Sequence, residues 1–197
     1  MKCDVILAGV GGQGVLSIAA IIAQAAVKAG LSVRQSEVHG MAQRGGAVLA
    51  HLRIADGPIA SDLTPRGGAD LIISMEPMES LRYAPWLSPE GALITAAEPF
   101  INIPDYPDPA LILESIKKFP LYRIIEAAGI AKEAGLARAV NMVMVGAASP
   151  FLPVPAETLE EAIAEMFASK SSSAGGAPGS ATDANRRAFN MGREAAK

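Results

Sequence analysis

The 197-residue sequence contains a single cysteine, Cys3, and this scarcity excludes several kinds of site. One thiol cannot form a disulfide framework, and it cannot by itself supply the ligands of an iron–sulfur cluster or a zinc site. Because Cys3 precedes a strongly apolar segment, we expect it to be a small, inert and partly buried thiol.

Charged residues are also scarce. They make up 19% of the sequence, whereas half of the residues are hydrophobic; an ordinary soluble domain has about a quarter charged residues. The net charge is −3 and no basic cluster is present, so nucleic acid is not expected as a partner. The apolar excess favours a permanent interface with another chain, because such interfaces resemble a domain core cut in half.

Long hydrophobic runs are missing as well. The run of lowest polarity, residues 15–27, contains Ser17 and Gln24 and is shorter than the roughly 20 residues that a membrane span requires. An apolar strand pattern begins almost directly after Met1, which leaves no room for a signal peptide. We therefore expect a cytoplasmic protein with no membrane association.

The first 36 residues show a strand–helix–strand pattern. Residues 4–8 form a short, continuous apolar run that is typical of a central parallel strand. Residues 15–28 are rich in Ala and Ile and end before Gly30, as a buried helix would. Residues 31–36 then form a second strand, and the resulting βαβ unit predicts a right-handed crossover and a parallel sheet.

The rest of the chain continues the alternation of strands and helices. Strands are predicted at 48–54, with a half-exposed pattern, and at 69–74, 91–95 and 122–126; helices are predicted at 76–83, 109–118, 137–148 and 155–167. This order indicates an α/β fold, a doubly wound, Rossmann-like, mostly parallel sheet with helices on both faces and C-terminal helices. We expect one domain over 1–168, a flexible Ser/Gly/Ala-rich connector over 169–181, and a helix over 182–197 that packs back on the domain.

Three glycines, Gly9, Gly11 and Gly14, have the spacing of a dinucleotide-binding fingerprint between a strand and a helix. Glycines there permit a tight turn and let backbone N–H groups approach a phosphate at the helix N-terminus. Glu37 follows the second strand roughly where a ribose-binding acid would lie. From spacing alone, nucleotide binding and a purely structural turn are equally good interpretations.

A second polar segment, residues 37–46, is predicted to be a loop at the same edge of the sheet as the glycines. Arg44 is suited to bind a carboxylate or phosphate through two hydrogen bonds, and the alternative is an Arg44–Glu37 pair that only holds the loop. His39 is a candidate general base, and the alternative is that it is simply a solvated histidine.

Taken together, two motifs resemble the gamma-type subunit of 2-oxoacid:ferredoxin oxidoreductases; they are Gly9-Val10-Gly11-Gly12-Gln13-Gly14 and Gln43-Arg44-Gly45-Gly46. The resemblance covers nearly the whole chain, because it extends to Asn141, Asn185, Phe189 and Gly192. Within the family, the segment Val38-His39-Gly40-Met41-Ala42-Gln43-Arg44-Gly45-Gly46 is most similar to the beta subunit of the enzymes that use indolepyruvate.

The resemblance implies an oxidative decarboxylation in which the cofactors supply the difficult chemistry and the protein positions the reactants. A thiamine diphosphate carbanion attacks a 2-oxoacid, CO2 leaves, electrons pass singly through [4Fe-4S] clusters to ferredoxin, and coenzyme A takes the acyl group as co-substrate. The sequence has no Cys-x-x-Cys and no Gly-Asp-Gly thiamine motif. The clusters, thiamine diphosphate and Mg²⁺ are therefore expected on a partner alpha subunit, and this chain alone holds no cofactor and no metal.

The resemblance also implies a hetero-oligomer that reaches ferredoxin through the complex, with an isolated chain that is inactive and either monomeric or a homodimer. Candidate residues facing the shared site are Gly9, Gly11, Gly12, Gln13, Gly14, Gln43, Arg44, Gly45 and Gly46, with Glu37 and His39 as weaker candidates; no catalytic residue is predicted. The first loop faces either the partner's active site or the coenzyme A phosphates. The alternatives are a stand-alone NAD(P)- or flavin-dependent dehydrogenase and a nucleotide-sensing or assembly module.

Overall fold

A six-stranded sheet forms the centre of the protein, whose computed structural model describes residues 1–39, 45–173 and 180–197. Its strands are β1 (Lys2–Val10), β2 (Ser32–His39), β3 (Ala47–Ala55), β4 (Ala69–Ser74), β5 (Leu87–Ala96) and β6 (Tyr122–Ile125). The order across the sheet is β2-β3-β1-β4-β5-β6. Only β3 runs opposite to the other strands, since it pairs antiparallel with both β1 and β2. The prediction of a mostly parallel sheet is confirmed.

Helices cover both faces of this sheet, as predicted. They are α1 (Val15–Lys28), α2 (Pro77–Arg82), α3 (Pro109–Ile116), α4 (Ala127–Glu133), α5 (Val140–Ala148), α6 (Ala156–Ser173) and α7 (Ser180–Ala195), with short 3-10 turns at Ala84–Trp86 and Ser149–Phe151. Val5 and Leu7 of β1 pack with the larger group of helices around α1 and α5. Ile6, between them, points to the opposite face and packs with α2 and α3, because side chains alternate along a strand.

The predicted βαβ unit, β1-α1-β2, is present, but its two parallel strands are not neighbours in the sheet. β3 lies between β1 and β2, with Val5 opposite Leu52 on one side and Glu37 opposite Ala50 on the other. The alternation expected for residues 48–54 holds in part. Val48, Ala50, Leu52 and Ile54 are buried, and Leu49 and Arg53 are only partly buried, but His51 is buried as well. β3 is apolar enough to be a central strand, whereas the polar β2 suits the edge of a sheet.

The predicted boundaries of α1 and β4 agree with the structure, whereas those of the other elements differ from it. The helix expected at 137–148 begins at Val140, and α4 before it was not predicted. Small residues explain the omission, because α4 buries only Ala127 and Ala131 and so produces little apolar periodicity. The helix expected to end at residue 167 continues to Ser173. The expected connector therefore overlaps α6, and residues 174–179 lie outside the described part.

α5 and α7 approach each other closely because two glycines lie at their crossing. A Cβ on Gly146 would lie 1.9 Å from the backbone oxygen of Phe189, and a Cβ on Gly192 would lie 2.1 Å from that of Val143. Gly192 and the fully buried Phe189 therefore have structural roles, although both belong to the sequence resemblance described above.

The amino edge of the sheet, where the parallel strands begin, is closed by a network around the buried Asp4. Arg53 donates from Nε and Nη2 to the two carboxylate oxygens of Asp4 at 2.7 and 3.0 Å, and Lys2 Nζ donates at 2.8 Å. Burial alone would raise the pKa of Asp4, but the hydrogen bonds from Arg53 and Lys2 hold that pKa below its ordinary value. Cys3 beside it is buried, and burial raises its pKa to about 12, which agrees with the expected inert thiol.

Candidate functional site

The glycine loop, residues 9–14, lies at the carboxyl edge of the sheet, between the end of β1 and the start of α1. Gly14 caps α1 with a left-handed backbone (φ 83°) and no side-chain hydrogen bond to the first turn. Gly12 is exposed, has φ 102°, and has no atom within 4 Å of the place where a Cβ would be. The helix N-terminus is thus open to a ligand or partner on this side.

The inner side of the same loop is filled by protein atoms. Gln13 folds back, so that its Oε1 accepts from Val10 N at 2.7 Å and its Nε2 donates to Met75 O at 3.2 Å. A Cβ on Gly9 would lie 2.8 Å from Val15 Cγ2 and 2.9 Å from Gln13 Oε1. Close packing therefore accounts for the glycine at position 9, and no phosphate is needed to explain it.

The structure brings the two glycine motifs together. Gly11 N donates to Gly46 O at 2.8 Å, and Gly45 N donates to Gly11 O at 3.3 Å. Gly45 has φ 79°, a conformation that favours glycine. Gln43 and Arg44 lie outside the described residues.

Glu37 and His39 belong to β2, so the loop predicted from residue 37 begins too early. β3 lies between β2 and β1, so the distance from these two residues to β1 is two strand spacings, or roughly 10 Å across the sheet. The ribose-binding acid of a dinucleotide site follows a strand adjacent to the first. The spacing of Glu37 does not reproduce that arrangement here, and its side chain is exposed at the sheet edge.

A cleft of about 350 Å³ opens beside the glycine loop, between the ends of β4 and β5 and the starts of α4 and α5. Its polar side chains are Gln13, Glu98 and Arg138. Glu98 Oε1 accepts from Ala128 N at 2.7 Å, whereas its buried Oε2 has no hydrogen-bond partner within the described residues. Arg138 is exposed, and it too has no ion-pair or hydrogen-bond partner in the described ranges.

Asn141 connects the start of α5 to the start of α1. Its Oδ1 accepts from Met142 N at 3.1 Å, and its Nδ2 lies 3.1 Å from the position of a Cβ on Gly14. Asn141 thus belongs to the surroundings of the glycine loop, which sequence reasoning recognised only through the resemblance.

Residues 97–108, which we call the strap, follow β5 and lie beside both glycine motifs. One buried carboxylate, Glu76, anchors the strap twice, because its Oε1 accepts from Phe100 N at 3.4 Å and from the hydroxyl of Tyr106. Asn102 Nδ2 also donates to Gly45 O at 2.6 Å. Burial, followed by the hydrogen bond to Glu76, raises the pKa of Tyr106.

Sequence reasoning missed the strap, together with Glu76, Glu98 and Arg138. A signal was present: Pro99 and Pro104 bound a short apolar, uncharged stretch directly after a strand. The stretch is too short for periodicity, and Glu76 is 24 residues from its contact with Phe100.

The residues that the structure describes do not fit a resident iron–sulfur cluster or metal. No group of three or more His, Cys, Asp or Glu side chains in the described ranges is placed to hold a metal ion. The one cysteine, Cys3, is buried at the opposite edge of the sheet.

Comparison with known proteins identifies the family. Residues 4–195 match the profile described as pyruvate ferredoxin/flavodoxin oxidoreductase. The chain belongs to this oxidoreductase family. Indolepyruvate oxidoreductase subunit IorB of Archaeoglobus fulgidus is 38% identical over 98% of this chain and 94% of the relative. The protein of the same name in Methanothermobacter thermautotrophicus is 37% identical over 100% of this chain and 98% of the relative.

A solved structure agrees with the family assignment. Pyruvate oxidoreductase subunit PORC of Thermotoga maritima matches with a TM-score of 0.70 and 25% identity, covering 98% of this chain and 96% of that chain. The resemblance to the oxidoreductase family that the two glycine motifs indicated is confirmed. None of the helices in the described ranges has the length and apolarity needed to cross a membrane.

Proposed function

We propose that the chain is the small subunit of an indolepyruvate:ferredoxin oxidoreductase. In that complex it supports the thiamine diphosphate- and coenzyme A-dependent oxidative decarboxylation of an aryl 2-oxoacid, with ferredoxin as electron acceptor. The substrate assignment rests on relatives named indolepyruvate oxidoreductase subunit, which are aligned over nearly the full length of both chains. A cytoplasmic location follows from this proposal, because coenzyme A and ferredoxin are intracellular.

The hydrogen-bonded pairing of the two glycine motifs is the structural observation that supports this function best. The reciprocal bonds between Gly11 and the Gly45-Gly46 pair make one surface of two segments that are far apart in sequence. That surface lies at the carboxyl edge, where sites form in α/β sheets. It includes a helix N-terminus without a side-chain cap, and no group of His, Cys, Asp or Glu side chains in the described ranges is placed to hold a metal ion. Both features fit a site that another chain completes.

The stand-alone dehydrogenase explains the geometry less well. A dinucleotide site needs free space against the glycine turn and an acid beside it. Here Gln13 and Val15 fill the space against Gly9, and β3 separates Glu37 from β1.

The proposed division of labour places thiamine diphosphate, Mg²⁺ and the [4Fe-4S] clusters on a large partner subunit. This chain contributes its two glycine loops, including Gln43 and Arg44, to the shared active site. The open N-terminus of α1 favours a negatively charged group, and so does Arg138, which has no partner among the described residues. A 2-oxoacid carboxylate and a coenzyme A phosphate both have that chemistry.

Reconstitution tests the proposal. The chain and the large subunit encoded with it are purified separately and mixed, and reduction of ferredoxin by indolepyruvate is followed with and without coenzyme A. We expect no turnover from this chain alone and coenzyme A-dependent turnover from the mixture. Turnover by the isolated chain, or none by the mixture when the large subunit holds its clusters and thiamine diphosphate, would contradict the proposal.

Calorimetry with NAD(H), NADP(H), FAD and FMN tests the dehydrogenase alternative on the same preparation. We expect no tight binding of any of the four to the isolated chain. Tight binding of one of them would favour the dehydrogenase.

A further inference from the structure

The contact between the two glycine motifs has the form of a β-bulge, in which two residues of one segment lie opposite one residue of its neighbour. Gly11 N donates to Gly46 O at 2.8 Å, and Gly45 N donates to Gly11 O at 3.3 Å, so Gly45 and Gly46 both lie opposite Gly11. Gly45 has φ 79°, the left-handed conformation that glycine adopts at the first position of such a bulge. Because β-bulges are over-represented beside active sites, the geometry of this one matters to the proposed site.

The carbonyl of Gly45 takes no part in the two bonds to Gly11 and is bound by the strap instead. Asn102 Nδ2 donates to Gly45 O at 2.6 Å. Neither Gly45 nor Gly46 has a Cβ, so the peptide between them can turn over more easily than a peptide between larger residues. The carbonyl and N–H of a trans peptide point in opposite directions. The bond from Asn102 therefore fixes the direction of Gly46 N–H as well as that of Gly45 O.

The segment that carries Asn102 is anchored independently of the bulge. The buried carboxylate of Glu76 accepts from Phe100 N at 3.4 Å on one side of Asn102 and from the Tyr106 hydroxyl on the other. Its second oxygen accepts from Glu79 N at 2.8 Å, so Glu76 is itself fixed to the first turn of α2. Since these bonds already hold the strap on both sides of Asn102, the bond to the bulge is not needed to hold it.

We propose that Asn102 is a positioning residue of the shared site, and that it acts by fixing the orientation of the Gly45–Gly46 peptide and thereby the pairing of the two glycine motifs. The inference rests on the proposed function. Groups that orient reactants must be held within a fraction of an ångström of the productive geometry, and supporting hydrogen bonds supply that precision. If the bond only tied the strap to the sheet, its loss would leave the bulge as it is.

Amide hydrogen exchange of the isolated chain, followed by NMR, tests the effect on the bulge without a partner. Asn102→Ala should raise the exchange rate of Gly11 N–H by about fivefold, because the loss of one hydrogen bond shifts a local opening equilibrium by about that factor. Gln13 N–H, which donates to Val10 O at 3.1 Å in the same loop, should exchange at the wild-type rate. Asn190→Ala is the matched control, since Asn190 is an exposed asparagine on α7, and it should change neither rate.

Steady-state kinetics of the complex reconstituted with the large subunit test the positioning role. Asn102→Ala should lower kcat by about fivefold or more and leave KM for the 2-oxoacid and for coenzyme A near the wild-type values, because misoriented reactants bind but react slowly. Thermal melting and the affinity for the large subunit should match wild type, which separates positioning from a loss of folding or assembly. Asn190→Ala should give wild-type kinetics.

The other outcomes overturn the inference in distinguishable ways. If Gly11 N–H exchanges at the wild-type rate in Asn102→Ala, or if both Ala variants change it equally, Asn102 does not hold the bulge. A wild-type kcat, or a loss confined to KM, would show that Asn102 does not position the reactants; in all of these cases the proposed function stands. If the wild-type chain gives no turnover with a large subunit that holds its clusters and thiamine diphosphate, the proposed function fails and the role of Asn102 fails with it.

Discussion

The two edges of the same sheet differ in how completely their polar groups are paired. At the amino edge, Asp4 is buried, and its carboxylate accepts three hydrogen bonds from Arg53 and Lys2, while its backbone N–H donates to Asp70. At the carboxyl edge, a buried oxygen of Glu98 has no donor within the described residues, and α1 begins without a side-chain cap.

The difference follows from the direction of the strands. Because five strands run the same way, the helices that follow them begin at the carboxyl edge and direct free N–H groups there. The amino edge has no comparable set of free N–H groups and can be closed by ion pairs. The paired groups of the amino edge contribute to stability, whereas the carboxyl edge is the one that we propose a partner or ligand completes.

The largest expected effect on stability is at the amino edge. Asp4→Asn removes the charge that balances Arg53 and should lower the free energy of unfolding by about 3 kcal/mol, because breaking a largely buried pair leaves one charge uncompensated. Urea denaturation measures the loss, and the affinity for the large subunit should not change.

Asp56→Asn is the control for Asp4→Asn, because Asp56 forms an exposed pair with the N-terminal amine. Its urea midpoint should match that of wild type. If Asp4→Asn also unfolds at the wild-type midpoint, the amino edge does not have the stabilising role assigned to it.

An intermediate effect is expected inside the glycine loop. Gly9→Ala places a methyl group against Val15 and Gln13 and should cost about 1–3 kcal/mol of stability. Gly12→Ala has open space and should cost about 1 kcal/mol, from the strain of φ 102° alone. Thermal unfolding of both variants measures the two losses of stability. Equal losses would contradict the distinction between a filled and an open side of the loop.

Gly129→Ala provides the reference for these two variants. It lies in α4, has no positive φ, and has no atom within 4 Å of a new Cβ. We expect a gain of about 0.5–1 kcal/mol from helix propensity.

The smallest expected effect is a pH dependence of stability that arises from His51, in the middle of β3. Burial, together with the charge of Arg53, lowers the pKa of His51, whose Nδ1 accepts from Thr64 N at 3.2 Å. The unfolded chain therefore takes up this proton at higher pH than the folded chain does. Stability should be fully present above about pH 6.5 and should fall as pH decreases through the folded pKa.

Urea titrations from pH 8 to pH 5 measure this decline. His51→Asn keeps an acceptor near Thr64 and should flatten the curve. A flat wild-type curve would contradict the assignment. Asp4 should produce a separate decline at lower pH, because its folded pKa is depressed and its contribution is lost as pH falls below about 3.9.

Local patterns predicted much of the fold, and their failures have identifiable causes. α1 and β4 were placed correctly, because each has a strong apolar pattern ended by a glycine or a turn. α4 was missed, because its buried residues are alanines. The pair of glycine motifs indicated the family, since both lie in short segments that a sequence displays directly.

The sequence by itself determined the alternation of strands and helices, the glycine turn before α1, and membership of the oxidoreductase family. Only the tertiary structure decided that β3 separates β1 from β2, that Gln13 fills the turn behind Gly9, and that Glu76 anchors the strap beside the glycine motifs. The physical reason is the range of the interactions. Turns and helix starts depend on residues a few positions apart, whereas strand order and the anchoring of the strap depend on contacts between residues that are distant in sequence and meet only after folding.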